Sequence, residues 1–435
     1  MKNTNSLLRS LALVTGVLTI ANLASGAIRT WNGSPDQLWS TTGNWTSTKP
    51  GASDTALFTN ASATGTSGPL GTVNNYVDGG FTTSINNLQY MNTNGFHNTR
   101  ITNALSIKGT ATGSPSTLTS SGNAIAVGSG QADDGKDATV YATIQGDSLN
   151  ISNRAGFLVI RQWSATAGNH NATLDLSGLN NFTATLGDLY IGFDSGGTYN
   201  RPSGVLTLAR TNTITLVDAG NDYHLGYGYG ANNTAVIYNH LGQVNFFNID
   251  QMRIGGPKCN QGAWLDFTAG LVNPTVKLRG TNGVARQTTW TIGDNSPLSG
   301  SGATATKGYA DFTRGSVDAL VDTIYVGKGG SGAYTGTANG TLTFGAGTTN
   351  LSTIDVNTLQ IGYSTTNSIG SGIVNVQSNG TLVVNKDANL GMVAAGTAVP
   401  VGLLNINGGK VKVAGNVVDG GGTTTLVVTN GGRWT

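Results

Sequence analysis

The sequence contains no glutamate, because all 21 of its acidic residues are aspartate, and its 23 basic residues leave a net charge of only +2. Glutamate favours helices, whereas the abundant Thr, Asn, Ser and Val and the 65 glycines favour strands and turns. The low charge also argues against disorder driven by electrostatic repulsion. The composition therefore predicts an all-β protein built from many short strands with dense turns.

The chain also lacks a run of basic residues longer than a single pair, and it has one cysteine. Without a basic face we expect no nucleic-acid partner. A single cysteine excludes an intrachain disulfide, so packing and backbone pairing must stabilise the fold. Because Cys259 lies in a Gly-Pro-Lys-Cys-Asn turn, a reactive thiol is one interpretation, and an inert structural cysteine is the one we favour.

Long apolar stretches are absent beyond the N-terminal region. Lys2 and Arg9 precede an apolar stretch over residues 11–23, which is followed by small residues at 24–27. This pattern predicts a secretory signal peptide over residues 1–26, and an uncleaved membrane anchor is the alternative interpretation. We therefore expect a secreted protein, extracellular or on the outer surface of a bacterium, with no integral membrane span after signal cleavage.

A short strand that ends in an aliphatic residue followed by glycine recurs about every 33 residues. The copies end at Val127, Ile191, Leu225, Ile254, Ile292, Val326, Ile361 and Leu390, and Ile160-Arg161 fills the gap in register with arginine in place of glycine. Apolar residues alternate before each glycine, which is typical of a strand with one buried face.

One or two further alternating strands follow each copy. We interpret residues 204–208, 340–344 and 380–384 as copies of the second strand, and residues 213–216 and 352–356 as copies of the third. Two or three strands per repeat predict one coil of a parallel β-helix (β-solenoid), because stacked coils share one apolar core. We expect right-handed winding and about 11 coils. A β-propeller and a β-sandwich array are the competing folds, and a propeller needs longer repeats of four antiparallel strands.

The two ends of the chain differ from its middle. Trp31, Trp39 and Trp45 fall in residues 27–72, which we interpret as an N-terminal Trp-rich cap that covers the first coil of the repeats at 73–435. The sequence stops at 431–435, within what resembles another coil. We expect either that the C-terminus is incomplete or that a partner protects it.

The sequence resembles bacterial autotransporter-associated β-strand repeat proteins. The resemblance is carried by Trp31-Asn32-Gly33, Trp39 and Trp45, and by the segments 53–58, 85–90, 174–179 and 189–192. It spans most of the mature chain. It implies an extracellular right-handed β-helix of the surface or adhesin-like type, in which a molecular activity is rarely assigned.

Few residues suggest chemistry. Asp133, Asp134 and Asp137 form the sole acidic cluster and are candidate calcium ligands, but a solvated loop is the interpretation we favour because their spacing matches no EF-hand. The four histidines are isolated in sequence, which argues against zinc. No nucleophile elbow, P-loop or dinucleotide motif is present. We therefore expect no catalytic residue and no cofactor, with calcium the one candidate ion.

Tyr223, Tyr227 and Tyr229 alternate in one aromatic-rich segment, where they are candidates for stacking on sugar rings or for packing along the rod. Our leading prediction is a non-enzymatic structural or adhesive rod that displays loops to extracellular matrix, glycans or other surface proteins. The alternatives are a polysaccharide lyase or hydrolase that uses Asp with Lys or Arg, and a glycan-binding module.

Overall fold

A computed structural model shows how these repeats fold. It describes residues 26–34, 36–64, 66–128, 139–162, 171–194, 202–218, 220, 223–228, 235–296, 304–330, 335–346 and 351–435. The predicted signal peptide lies almost entirely outside the described residues. In the described part of the chain, no helix is long and apolar enough to cross a membrane.

The described residues form thirty strands and one short 3-10 helix (Thr42–Asn44). The first fifteen strands are β1 (Ile28–Thr30), β2 (Thr55–Phe58), β3 (Asn75–Val77), β4 (Asn87–Tyr90), β5 (His97–Lys108), β6 (Asn123–Val127), β7 (Thr139–Ile160), β8 (Asn171–Asp175), β9 (Leu179–Asp194), β10 (Val205–Thr207), β11 (Thr211–Leu216), β12 (Tyr223–Gly228), β13 (Ile237–Leu241), β14 (Val244–Asn248) and β15 (Gln251–Ile254). The others are β16 (Ala263–Phe267), β17 (Thr275–Arg279), β18 (Gln287–Asp294), β19 (Thr306–Phe312), β20 (Ser316–Lys328), β21 (Ala338–Phe344), β22 (Ser352–Ser364), β23 (Gly370–Gln377), β24 (Gly380–Val384), β25 (Ala388–Val393), β26 (Val401–Asn407), β27 (Lys410–Val413), β28 (Val417–Asp419), β29 (Thr423–Thr429) and β30 (Arg433–Trp434).

Every pairing between these strands is parallel, and the pairs form three faces of a β-solenoid of about 10 turns. The first face contains β3, β8, β10, β13, β16, β19, β21, β23, β26 and β29, and the second contains β11, β14, β17, β24, β27 and β30. The third contains β1, β2, β4, β6, β12, β15, β18, β25 and β28. The long strands β5, β7, β9, β20 and β22 turn corners, and β7 contributes to all three faces while each of the others contributes to two. The predicted β-solenoid is confirmed.

The aliphatic residues of the repeat stack directly on one another along the third face. Val127 pairs with Ile160, Ile160 with Ile191, and the register continues through every predicted copy to Leu390. All nine side chains are at most 1% exposed, and they belong to one continuous apolar core that runs from Trp31 to Val411. The alternation of apolar residues in the sequence therefore corresponds to one continuous row of stacked aliphatic side chains inside the solenoid.

The glycine after each aliphatic residue makes the turn out of the third face. Gly327 has φ +72°, a backbone conformation that residues with a Cβ rarely adopt, and the glycines of the equivalent positions in the other copies also have positive φ. A Cβ at Gly327 would also collide with the backbone of Ser371 and Gly372 on β23, in the next turn of the solenoid. The backbones of two successive coils can approach each other closely at this corner because glycine has no side chain.

The prediction that residues 380–384 are a copy of the same strand as 340–344 is wrong. Residues 380–384 resemble 340–344 in pattern, but β24 pairs with β22 and β27 on the second face, whereas β21 lies on the first. The error arose because both faces use the same alternation after a glycine, so only the pairing distinguishes them.

At the N-terminal end of the solenoid, β1 and β2 join the third face, and Trp31, Trp39 and Trp45 are buried around Phe58.

Candidate functional site

The structure describes some of the predicted site residues and not others. Asp133, Asp134 and Asp137 lie outside the described residues, as does Tyr229. Tyr223 cannot stack on a sugar as predicted, because it points into the core and is 0% exposed. Its hydroxyl accepts a hydrogen bond of 2.8 Å from Asn239 Nδ2. The physical reason is strand alternation, which turns every second residue of β12 inward.

Tyr227 lies on the outer side of the third face, in an aromatic cluster. Its ring stacks on Phe193 with a centroid separation of 4.9 Å, and Phe193 in turn contacts Tyr190 and His224. Phe193, Tyr190 and His224 are each at most 9% exposed. The aromatic residues of this segment therefore pack along the rod, which is the second of the two interpretations offered by the sequence.

Cys259 is fully buried and free. Burial raises the pKa of its thiol to about 12, against the smaller opposing effects of a hydrogen bond from Gly262 and the charge of Lys307. The reactive thiolate form is therefore scarce at neutral pH, and the structural interpretation of this cysteine is the one that its environment supports.

A different aromatic strip lies on the outer side of the first face, which the sequence analysis missed. Tyr238 on β13, Trp264 on β16 and Tyr309 on β19 occupy the same register on three successive rungs. All three are half-buried, while their neighbours in the strands, such as Leu265, point into the core. Three rungs at about 4.8 Å spacing make a strip about 10 Å long.

Two rings of this aromatic strip stack on each other. The rings of Trp264 and Tyr309 are 4.1 Å apart between centroids and 16° from parallel. Burial raises the pKa of Tyr309, with a further contribution from Cys259, so this hydroxyl stays protonated at neutral pH and can donate a hydrogen bond.

A polar column runs beside the aromatic strip, two residues further along each strand. His240, Asp266 and Asp311 occupy one register on β13, β16 and β19. Asp266 is the centre of this column, because its two carboxylate oxygens contact His240 Nδ1 at 2.6 Å and an Arg314 guanidinium nitrogen at 3.3 Å. The Arg314 side chain is 55% exposed and the His240 side chain 28%, so both can reach solvent.

The polar column is tied to the aromatic strip by a ring contact. The imidazole of His240 stacks on Tyr238 at 4.8 Å, with the planes 22° apart. The strip and column together offer half-exposed aromatic surface beside hydrogen-bond donors and acceptors of both charges. Sugars are bound in this way, because their C–H faces pack on aromatic rings while their hydroxyls need polar partners.

A signal for this site was present in the sequence but was weak. In β13 and β16 an aromatic residue precedes a polar residue by two positions, Tyr238 with His240 and Trp264 with Asp266, and β19 repeats the pattern. The spacing places both residues of each pair on the same side of a strand. Which residues of successive strands align could not be read, since the intervening loops differ in length.

No group of three or more His, Cys or Asp side chains in the described part of the chain is arranged to hold a metal ion. No family model, curated protein or solved structure matches the sequence. Membership of the autotransporter-associated repeat family therefore stays a prediction.

Proposed function

We propose that this protein is a secreted, non-catalytic β-solenoid rod that adheres to glycans through the aromatic strip and polar column of its first face. The observation that carries the proposal is the alignment of Tyr238, Trp264 and Tyr309 on three successive rungs, at a surface where the alternation of the strands would equally accept small polar residues. Partly exposed aromatic rings in register are costly to hydrate, so a binding role explains their position.

The solenoid supports the proposal in a second way. Parallel strands fix the spacing of the three rungs at about 4.8 Å, and a fully buried core holds their backbones in place. A rigid platform loses little conformational entropy on binding, which favours adhesion to repeating polymers such as polysaccharides. The predicted signal peptide is consistent with an extracellular polymer as the partner.

Glycan binding is tested by retention on a panel of immobilised neutral and acidic polysaccharides. We expect Trp264→Ala to weaken retention at least about five-fold, because an aromatic contact contributes about 1 kcal/mol beyond its buried area. The matched control is Phe246→Ala, which removes an aromatic residue that is 40% exposed on the second face. Equal retention of the Trp264→Ala and Phe246→Ala variants would refute the proposed binding surface.

The same assay separates adhesion from the alternative enzyme function. His240 and Asp266 form a close pair beside the aromatic strip, as a general acid or base and its orienting partner would. We expect bound polysaccharide to be recovered at its original length. Shortened or unsaturated products that disappear in Asp266→Asn would instead assign a lyase or hydrolase activity to this site.

A further inference from the structure

A polar cavity of about 200 Å³ lies on the third face, remote in register from the aromatic strip of the first face. It is lined by β15, β18 and β20, with Arg253, Thr291 and Tyr325 aligned on successive rungs. Asp294 and Lys328 pair in the neighbouring register, just after the glycine turns. The cavity is smaller than those that hold drug-sized ligands, and it suits a single sugar residue.

The inner wall of this cavity is a buried ion pair. The Asp294 side chain is 0% exposed, and one of its oxygens lies 3.1 Å from Arg253 Nε. Its other oxygen accepts a hydrogen bond of 2.8 Å from the backbone N–H of Ser296. Burial alone would raise the pKa of Asp294, but Arg253, Lys328 and Ser296 together hold it below its usual value. The carboxylate is thus ionised, and the charge of Arg253 is largely offset.

Lys328 provides the remaining charge of the cavity. Its Nζ lies 4.5 Å from the centroid of the Tyr325 ring, and no carboxylate of the described residues lies within 4.0 Å of it. The Tyr325 ring also makes an edge contact with Tyr363, with 5.3 Å between the ring centroids. One ammonium group is therefore positioned in a recess, with an excess of one positive charge among Arg253, Asp294 and Lys328.

The remaining lining residues are uncharged; Tyr223 and Met252 belong to the core, and the other three carry hydrogen-bonding groups. Thr289 and Thr291 contribute hydroxyls and Gln251 an amide, all on the outer side of their strands. Such groups pair with alcohol groups of a ligand, while Lys328 pairs with a negative charge. A ligand that satisfies both must carry a carboxylate and several hydroxyls within a volume close to one pyranose ring.

We propose that this cavity is a second binding site, in which Lys328 receives the carboxylate of a sugar acid such as a uronic acid residue. The buried pair of Arg253 and Asp294 keeps the floor of the cavity rigid, and the threonine hydroxyls bind the sugar hydroxyls. The proposal is independent of the first-face strip, because no residue is shared between the two sites. It gives the rod a separate preference for acidic glycans.

The test is calorimetric titration of the full chain with sodium glucuronate and, separately, with glucose. We expect glucuronate to bind at least ten-fold more tightly than glucose, and its affinity to fall as salt is added, because a charge-assisted hydrogen bond is lost with the neutral sugar. Lys328→Gln should weaken glucuronate binding about ten-fold and Lys328→Arg should retain it. Lys277→Gln, which removes a half-buried lysine of the second face, is the matched control and should leave binding unchanged.

Three results would overturn this assignment. They are equal affinity for glucuronate and glucose, unchanged glucuronate affinity in Lys328→Gln, and binding of inorganic sulfate as tight as that of glucuronate, which would indicate a bare anion site. Trp264→Ala keeps this test distinct from the first-face proposal, because it should lower retention on polysaccharide while leaving the glucuronate titration unchanged.

Discussion

Replacing Gly327 by alanine should destabilise the solenoid far more than a single added methyl group normally would. Two costs combine at this residue. Its φ of +72° is strained for any residue with a Cβ, which costs about 1–2 kcal/mol. The new Cβ would also lie well within 3.0 Å of the Ser371 and Gly372 backbone, so that β23 must shift at a cost of about 1–3 kcal/mol. We expect a total loss of about 3 kcal/mol.

Gly270→Ala separates these two costs. Gly270 has φ +85°, and no atom lies within 4 Å of the position that its Cβ would take. Alanine there should lose only the backbone cost, about 1 kcal/mol. Urea unfolding of both variants and the parent, followed by circular dichroism, gives the difference in midpoint. If Gly327→Ala and Gly270→Ala shift the midpoint equally, close packing of adjacent rungs at the turn does not contribute to stability.

Three other perturbations probe the interior. Burial lowers the pKa of His97 from 6.5 to about 4, against a smaller opposing effect of the hydrogen bond with the Thr59 carbonyl. Between these two pH values the unfolded chain binds more protons than the folded one, so the free energy of unfolding should fall by about 3 kcal/mol as the pH drops from 6.5 to 4. Urea titrations across this pH range should show that His97→Gln abolishes the loss. Ile324→Ala should cost about 2–5 kcal/mol by leaving a cavity in the core, measured as a lowered urea midpoint, and a cost below 1 kcal/mol would contradict the observed burial. Arg253→Met should cost about 3–5 kcal/mol because it leaves buried Asp294 without its closest partner, and adding Asp294→Leu should recover most of this stability in a double-mutant cycle.

The fold was predictable because its determinants are local and repeated. Each aliphatic residue from Val127 to Leu390 is preceded by alternating apolar positions and followed by a glycine or, after Ile160, an arginine. A pattern of period two with a turn signal specifies a strand and its buried side without reference to any distant residue. The stacking then follows, because one coil cannot bury its inner face alone.

The candidate site was not predictable to the same degree. The sequence drew attention to Tyr223 and Tyr227 because they are close together in the chain, yet one lies in the core and the other packs in a lateral cluster. Trp264 and Tyr309 are 45 positions apart in the sequence and were not predicted as a site, although their rings are in contact. Contacts along a solenoid axis join residues one repeat apart, and loops of unequal length conceal that relation.

The sequence by itself determined the class of fold, the period, the buried seam and the residue that makes each turn, because strand alternation and backbone conformation are properties of short segments. Only the tertiary structure decided which face a strand such as β24 joins, and which outward residues become neighbours. The aromatic strip around Trp264 and the cavity around Lys328 exist because parallel pairing in one register brings together side chains that are distant in the chain.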